Sequence, residues 1–261
     1  MLKTAACRAG LALALAAGVA ACKSTTTPAP ETGTAYYPAA VGNFWRYAVT
    51  DTTWSQATGQ GAQLRPSVAT VSSYEFRETI TAQLTDAAGQ PAYRLVRARR
   101  VPPATAWRDD SVFVVSATPQ FVAINRNNTR TVELIFPVRE GRSWNLNAFN
   151  NNFNDTITAE TRRYSRVGQP YTTGGSAGLP AVTYPLTVTT TNAGAAAENT
   201  LLKRISYEQV FARSVGPVFR RRVYLAYYNY TDPGTGNQIF PPNNYFSGVT
   251  RRETLLEYGP R

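Results

Sequence analysis

Histidine is absent from all 261 residues, and cysteine occurs only at positions 7 and 22. These facts bound the available chemistry before any element is assigned. Without an imidazole there is no Ser-His-Asp or Cys-His relay, no His-ligated zinc and no histidine pH switch. Carboxylates, amides and aromatic rings are left. Asp109-Asp110 is the one adjacent acid pair. Neighbours on a strand point to opposite faces, so this pair reads as a solvated strand end. Glu75 and Glu78 are separated by an odd number of positions and diverge for the same reason. A glycosidase needs two carboxyls roughly 5–10 Å apart, and here only residues distant in sequence would supply them. The Asn-rich stretch 145–155 offers amides to a sugar or a cation, but asparagines at this density more often serve turns. Tyr224, Tyr227, Tyr228, Tyr230, Tyr245 and Phe246 cluster late in the chain. They are candidates to line a cavity for an apolar or glycan ligand, with ordinary strand packing as the competing reading. No catalytic residue, metal ligand or cofactor is assigned, and the chain reads as a non-enzyme.

The elements that must position these residues are strands. Tyr, Phe and Trp number 15, 11 and 4, and hydrophobic residues make up 43% of the chain, enough for a sizeable core and a bias toward β-structure. Strand patterns cover residues 44–50, 68–84, 93–99, 107–117, 121–125 and 131–138 in the first half. Ser143-Trp144-Asn145-Leu146 follows, then 156–167, 181–191, 218–230 and 249–258. Asp86-Ala87-Ala88-Gly89-Gln90, Arg126-Asn127-Asn128-Thr129 and Asp232-Pro233-Gly234 supply turns. One short helix is expected near residues 206–215, because Tyr207, Val210, Phe211 and Ser214 have helical spacing and Gly216-Pro217 would stop it. The pattern predicts an all-β fold, an antiparallel barrel or strongly curved sheet, in a single domain over residues 36–261.

The formal charge is +11, and a product beginning at Cys22 would lose Lys3 and Arg8 and carry +9. The basic residues are spread along strands, and the densest groups, Arg97-Arg99-Arg100 and Arg220-Arg221-Arg222, are short. With no nucleic-acid signature beside them, they read as solvated surface charge, and no nucleic-acid partner is expected.

Residues 1–21 form a basic start followed by an apolar run too short for the roughly 18-residue span of a membrane helix. Val19-Ala20-Ala21-Cys22 resembles the lipobox of bacterial lipoproteins. That resemblance implies a signal peptide cut before Cys22, a diacylglycerol on the Cys22 sulfur, and a membrane as partner. Residues 22–35, largely Thr and Pro, would be a flexible tether. Lys23 does not favour inner-membrane retention by resemblance to the enterobacterial sorting rule, and the acidic run that marks surface export in some Bacteroidota is missing. The implied location is the outer membrane, facing the periplasm. The apolar run continues past Cys7, so this residue carries no role. Asp51-Thr52-Thr53, Asp110-Ser111-Val112 and Asp155-Thr156-Ile157 resemble the O-glycosylation triplet of exported Bacteroidota proteins.

Tyr36-Tyr37-Pro38 with Val41-Gly42-Asn43-Phe44-Trp45-Arg46-Tyr47 resembles the opening of a family of uncharacterised Bacteroidota lipoproteins. Glu133 to Val138 with Gly141 and Trp144-Asn145 resembles their middle, and Tyr207 to Val218, ending Ser214-Val215-Gly216-Pro217-Val218, their late segment. The family carries no activity over to this chain. Three functions follow as expectations. The first is a non-enzymatic envelope lipoprotein that binds an envelope protein, lipid or glycan, or has a structural role. The second carries a lipid or other apolar ligand in a barrel cavity, and the third is a hydrolase built on carboxylates.

Overall fold

A computed structural model describes residues 33–86, 88–103, 106–152, 160–175, 178–194 and 199–260. The expected signal peptide, Cys7, Cys22, most of the expected tether and the triplet at Asp155 lie outside the described residues. Thr32–Arg261 forms one compact unit.

The strands are β1 (Phe44–Trp54), β2 (Ala69–Thr85), β3 (Pro91–Arg100), β4 (Arg108–Ala117), β5 (Phe121–Arg126), β6 (Thr129–Ile135), β7 (Ser143–Asn145), β8 (Thr161–Thr173), β9 (Val182–Ala193), β10 (Lys203–Ala212), β11 (Gly216–Tyr227), β12 (Tyr230–Thr231), β13 (Gln238–Ile239) and β14 (Tyr245–Gly259). Twelve of them form one antiparallel sheet in the order β6-β5-β4-β3-β2-β1-β14-β11-β10-β9-β8-β7, curled into a nearly closed barrel. Most neighbours are consecutive hairpins. The exceptions are β11 with β14, which skip the separate β12-β13 ribbon, and the centre of the sheet, where β1 pairs with β14 from Phe44↔Gly259 to Trp54↔Gly248.

The gap between the edge strands β6 and β7 is bridged by side chains and one further ladder bond. Trp144 Nε1 donates to the Val132 carbonyl at 2.8 Å, and the Val132 amide donates to the Leu146 carbonyl at 2.8 Å. The Tyr164 hydroxyl donates to the Ile135 carbonyl at 2.7 Å and accepts from the Ile135 amide at 2.8 Å. A sheet edge otherwise left bare is thereby satisfied.

Alternation along each strand sorts the side chains. Tyr47 and Val49 on β1, Phe76 and Ile80 on β2, Leu95 on β3, Val115 on β4 and Leu134 on β6 point inward and are buried. Arg46, Glu75, Arg77 and Arg100 point outward, where Arg46 and Arg100 both pair with Glu75. Over these stretches the interior is apolar and the outer face polar. One end of the lumen is closed by residues 33–38. The Ala35 carbonyl accepts from the Ser214 amide at 2.8 Å, and the Tyr37 ring lies 5.8 Å from Trp45 and 6.5 Å from Phe211. Trp45 is fixed by its own Nε1 donating to the Val215 carbonyl at 2.6 Å.

The expected helix near 206–215 does not form; Lys203–Ala212 is β10. It pairs with β11 along its length and with β9 over Glu208–Ala212. Gln209 and Phe211 face the lumen. Val210 faces outward yet is also fully buried, opposite Phe219, which Tyr171 covers. Burial on both faces places apolar residues three and four positions apart without any helix. Ser214 then turns the chain at φ 61°. Among the described residues the helical content is limited to short 3-10 turns, including Thr34–Tyr36 and Gly61–Gln63.

Candidate functional site

Above the aromatic layer the lumen becomes ionic. Glu78 sits between Phe76 and Ile80 on the inward face of β2, and its sheet neighbour on β3 is Arg97. Beyond β1, Glu253 on β14 lies beside Arg220 on β11, which in turn lies beside Gln209 on β10. Ion pairs join these side chains into one belt of charge. Glu78 Oε1 accepts from Arg97 Nη2 at 2.6 Å and from Arg220 Nη1 at 3.0 Å, while its Oε2 accepts from Arg220 Nη2 at 3.0 Å. Arg220 Nη1 also reaches Glu253 Oε2 at 3.0 Å. Across the belt, Arg126 Nη1 donates to Glu133 Oε1 at 2.7 Å, and Arg162 pairs with Glu160.

Bare charges do not survive in such a place; a buried ion needs a partner or it neutralises. Glu78, Glu253 and Glu133 are 2%, 5% and 7% exposed. Burial alone would raise the carboxyl pKa values of Glu78 and Glu133. The arginines beside them outweigh it, holding Glu78 well below the ordinary carboxylate range and lowering Glu133 as well. The same carboxylates hold Arg126 and Arg220 charged against the opposing pull of burial. Aromatic faces complete the shell. Arg97 lies over Phe76 and Phe113 at 4.5 and 4.9 Å, and Arg162 lies over Tyr207 at 3.4 Å.

A cavity of about 470 Å³ opens above this belt, lined by Arg97, Arg126, Arg162, Arg220, Arg222 and Arg251 among others. The mouth is marked by Tyr224 and Val249, which are 42% and 41% exposed. Arg251 is held by Asp51, with Nε to Oδ1 at 2.7 Å and Nη2 to Oδ2 at 2.8 Å, and the Tyr74 hydroxyl joins Oδ2 at 2.7 Å. On β1 the order Trp45, Val49, Asp51 runs from the plugged end through the belt to this rim. The mouth thus lies at the end of the barrel away from residues 33–38.

The sequence candidates separate on this frame. Of the late aromatics, only Tyr224 lines the cavity. Tyr227 and Tyr245 pack with Val223, Leu225 and Trp54 in a separate cluster on the outer face. Tyr228 stacks on Phe246 at 4.8 Å and lies 6.4 Å from Tyr230, and its hydroxyl donates to the Gly59 carbonyl at 2.6 Å. These rings fasten the segment between β1 and β2 to the barrel wall. Asp109 and Asp110 are exposed, and Glu75 and Glu78 lie on opposite faces. The described asparagines of 145–152 cap their own turns: Asn145 Oδ1 accepts from the Asn147 amide, and Asn150 Oδ1 from the Asn152 amide. Glu78 and Glu253 do form a buried, facing pair of distant acids, but both are joined to Arg220. A glycosidase general acid requires a carboxyl pKa raised toward neutrality, and at Glu78 the shift runs the other way.

The expectation that the basic residues are solvated surface charge fails at the lumen. The Arg162, Arg220 and Arg97 side chains are only 4%, 11% and 13% exposed. The signal was present as parity: Arg220 and Arg222 share a strand face with Tyr224, as Glu78 does with Phe76 and Ile80. No protein-family model, no curated protein and no solved structure matches the chain.

Proposed function

We propose that this chain is a lipid-anchored module of the bacterial cell envelope, acylated at Cys22, that binds a small ligand in its barrel lumen and performs no covalent chemistry on it. The observation that carries the reading is the solvent-open cavity of about 470 Å³, framed by side chains locked in ion pairs. Its volume falls in the range of small-molecule sites, roughly 300–1,000 Å³, and a pre-ordered polar lining is what such sites use for specificity. The leader supports the anchor, since two acyl chains on one cysteine hold a protein stably at a membrane. Outer membrane, periplasmic side, is the location this reading assigns. A polar ligand is favoured over a purely apolar one, because the apolar half of the lumen is filled by Trp45, Tyr47, Phe211 and Tyr164. The hydrolase reading loses ground on the ionised state of Glu78 and Glu133.

Two measurements test the proposal. Cells fed an alkyne-tagged fatty acid label the wild-type chain and leave Cys22→Ala unlabelled; label on the variant would remove the anchor assignment. Native mass spectrometry of the full-length lipoprotein, released from membranes in mild detergent, gives an adduct of defined mass that Arg220→Met diminishes. An adduct unchanged by that variant would remove the lumen as the site.

A further inference from the structure

We infer that the lumen site takes a small oxyanion, a ligand presenting one carboxylate or phosphate group to the arginines of the belt. This rests on the reading of the lumen as a binding site and adds the chemical class of what it binds.

The first argument is charge. Seven arginines line the cavity; Arg221 is on the other strand face opposite Glu208, and six are on the inner face: Arg97, Arg126, Arg162, Arg220, Arg222 and Arg251. The carboxylates that pair with them are five: Glu78, Glu253, Glu133, Glu160 and Asp51. Arg222 is the odd one. Its neighbour across β14 is Arg251 and its neighbour across β10 is Tyr207, and among the described residues no acid pairs with it. One anionic group would balance the site.

The second argument is unmet hydrogen bonding, and it is independent of the first. Arg162 is 3% exposed, and its Nε and Nη1 find no acceptor; Arg220 Nε finds none either. A buried charged donor without an acceptor costs more than a neutral one. Both residues line the same cavity as Arg222, but these nitrogens are closed off from it, so what they leave is undersatisfied positive charge in its wall, which an anion in the cavity offsets at longer range. Guanidinium groups suit oxyanions because their planar donors match two oxygens at once.

The third argument is fit. Arg162 stacks on Tyr207 at 3.4 Å, Tyr207 hydrogen-bonds Gln209, and Arg220 is held by two glutamates, so the donors are already ordered. Binding then loses little side-chain freedom. Thr129, Tyr224 and Val249 at the mouth leave room for a body beyond the anionic group.

The test is calorimetric titration of the detergent-purified full-length chain at matched ionic strength. The probes are inorganic phosphate, glucuronate, glucose as a neutral control, and phosphatidylglycerol vesicles. The expected result is saturable one-to-one binding of phosphate or glucuronate and none of glucose. Arg222→Glu, at an exposed position, weakens it by about tenfold or more while circular dichroism stays native. Arg252→Glu reverses an exposed charge on the outer face and leaves binding as it is. Binding of the free anions assigns a soluble ligand. Binding of the vesicles alone assigns a lipid headgroup, provided Arg222→Glu abolishes it. The inference is overturned if neither anion form saturates, or if Arg252→Glu weakens binding as much as Arg222→Glu. Saturable binding of glucose alone, lost in Arg220→Met, would overturn the oxyanion and leave the lumen site standing. Loss of both the native adduct and all probe binding would overturn the two together.

Discussion

Glu78 shows what a single side chain does in this lumen. Two arginines converge on it, Arg97 from the neighbouring strand β3 and Arg220 from β11, three strands to its other side, and it is 2% exposed. Replacing it with glutamine keeps the volume and leaves two guanidinium groups short of counter-charge. The Glu78→Gln variant is expected to lose about 3 kcal/mol of stability or more in urea titration, whereas Glu75→Gln, on the outer face, loses no more than about 1 kcal/mol. Gly216 makes a different demand. It sits at φ +101°, and a Cβ there would stand 2.8 Å from Trp45 Nε1. Gly216→Ala should cost about 2 kcal/mol and displace the indole, read as a shift in tryptophan fluorescence. Glu78 was partly legible in the sequence, since a charge at an inward slot between Phe76 and Ile80 announces a buried partner. Its partners were not, because Arg220 lies 142 positions away and only the closed sheet brings it near. The aromatic candidates misled for a related reason. Tyrosines at odd and even positions of one segment cannot share a strand face, and the bulge at Ala226/Tyr227 reassigns the faces once more.

At the level of elements, hairpins were readable and closure was not. Consecutive strands joined by turns such as Asn127-Asn128, both at positive φ, follow from local chemistry. The pairing of β1 with β14 depends on curvature summed over the whole sheet. So does the seam between β6 and β7, where the Tyr164 hydroxyl serves both the amide and the carbonyl of Ile135. Tyr164→Phe leaves those two backbone groups unmatched and should cost about 1–3 kcal/mol. In hydrogen exchange the loss of protection should concentrate in β5, β6 and β7, with β1 and β2 retaining theirs. A uniform loss over all strands would show that the seam does not open independently. The missed helix at 206–215 belongs to this scale too. A residue buried on the outside of a barrel, as Val210 is, breaks the assumption that one strand has one apolar face.

For the whole molecule, the ionic belt links stability to pH. Glu78 and Glu133 titrate in the folded state below their ordinary value of 4.5. A depressed folded pKa contributes stability that is fully present above the unfolded value and lost as pH falls below it. Urea midpoints should therefore be level down to about pH 5 and fall steadily from there toward about pH 3. The absence of histidine leaves no side chain of that type to bend the curve near neutrality. The adjacency of β1 and β14 has a consequence in time. A chain that emerges from a ribosome N-terminus first presents β1 early and β14 last. At roughly 5–20 residues per second, the interval between them is on the order of 10–40 s. Throughout that wait β1 can pair with β2 on one side only, and its other edge stays open to any strand within reach. Birth order thus leaves one flank of β1 unpaired until the fifteen residues of β14 arrive to cover it.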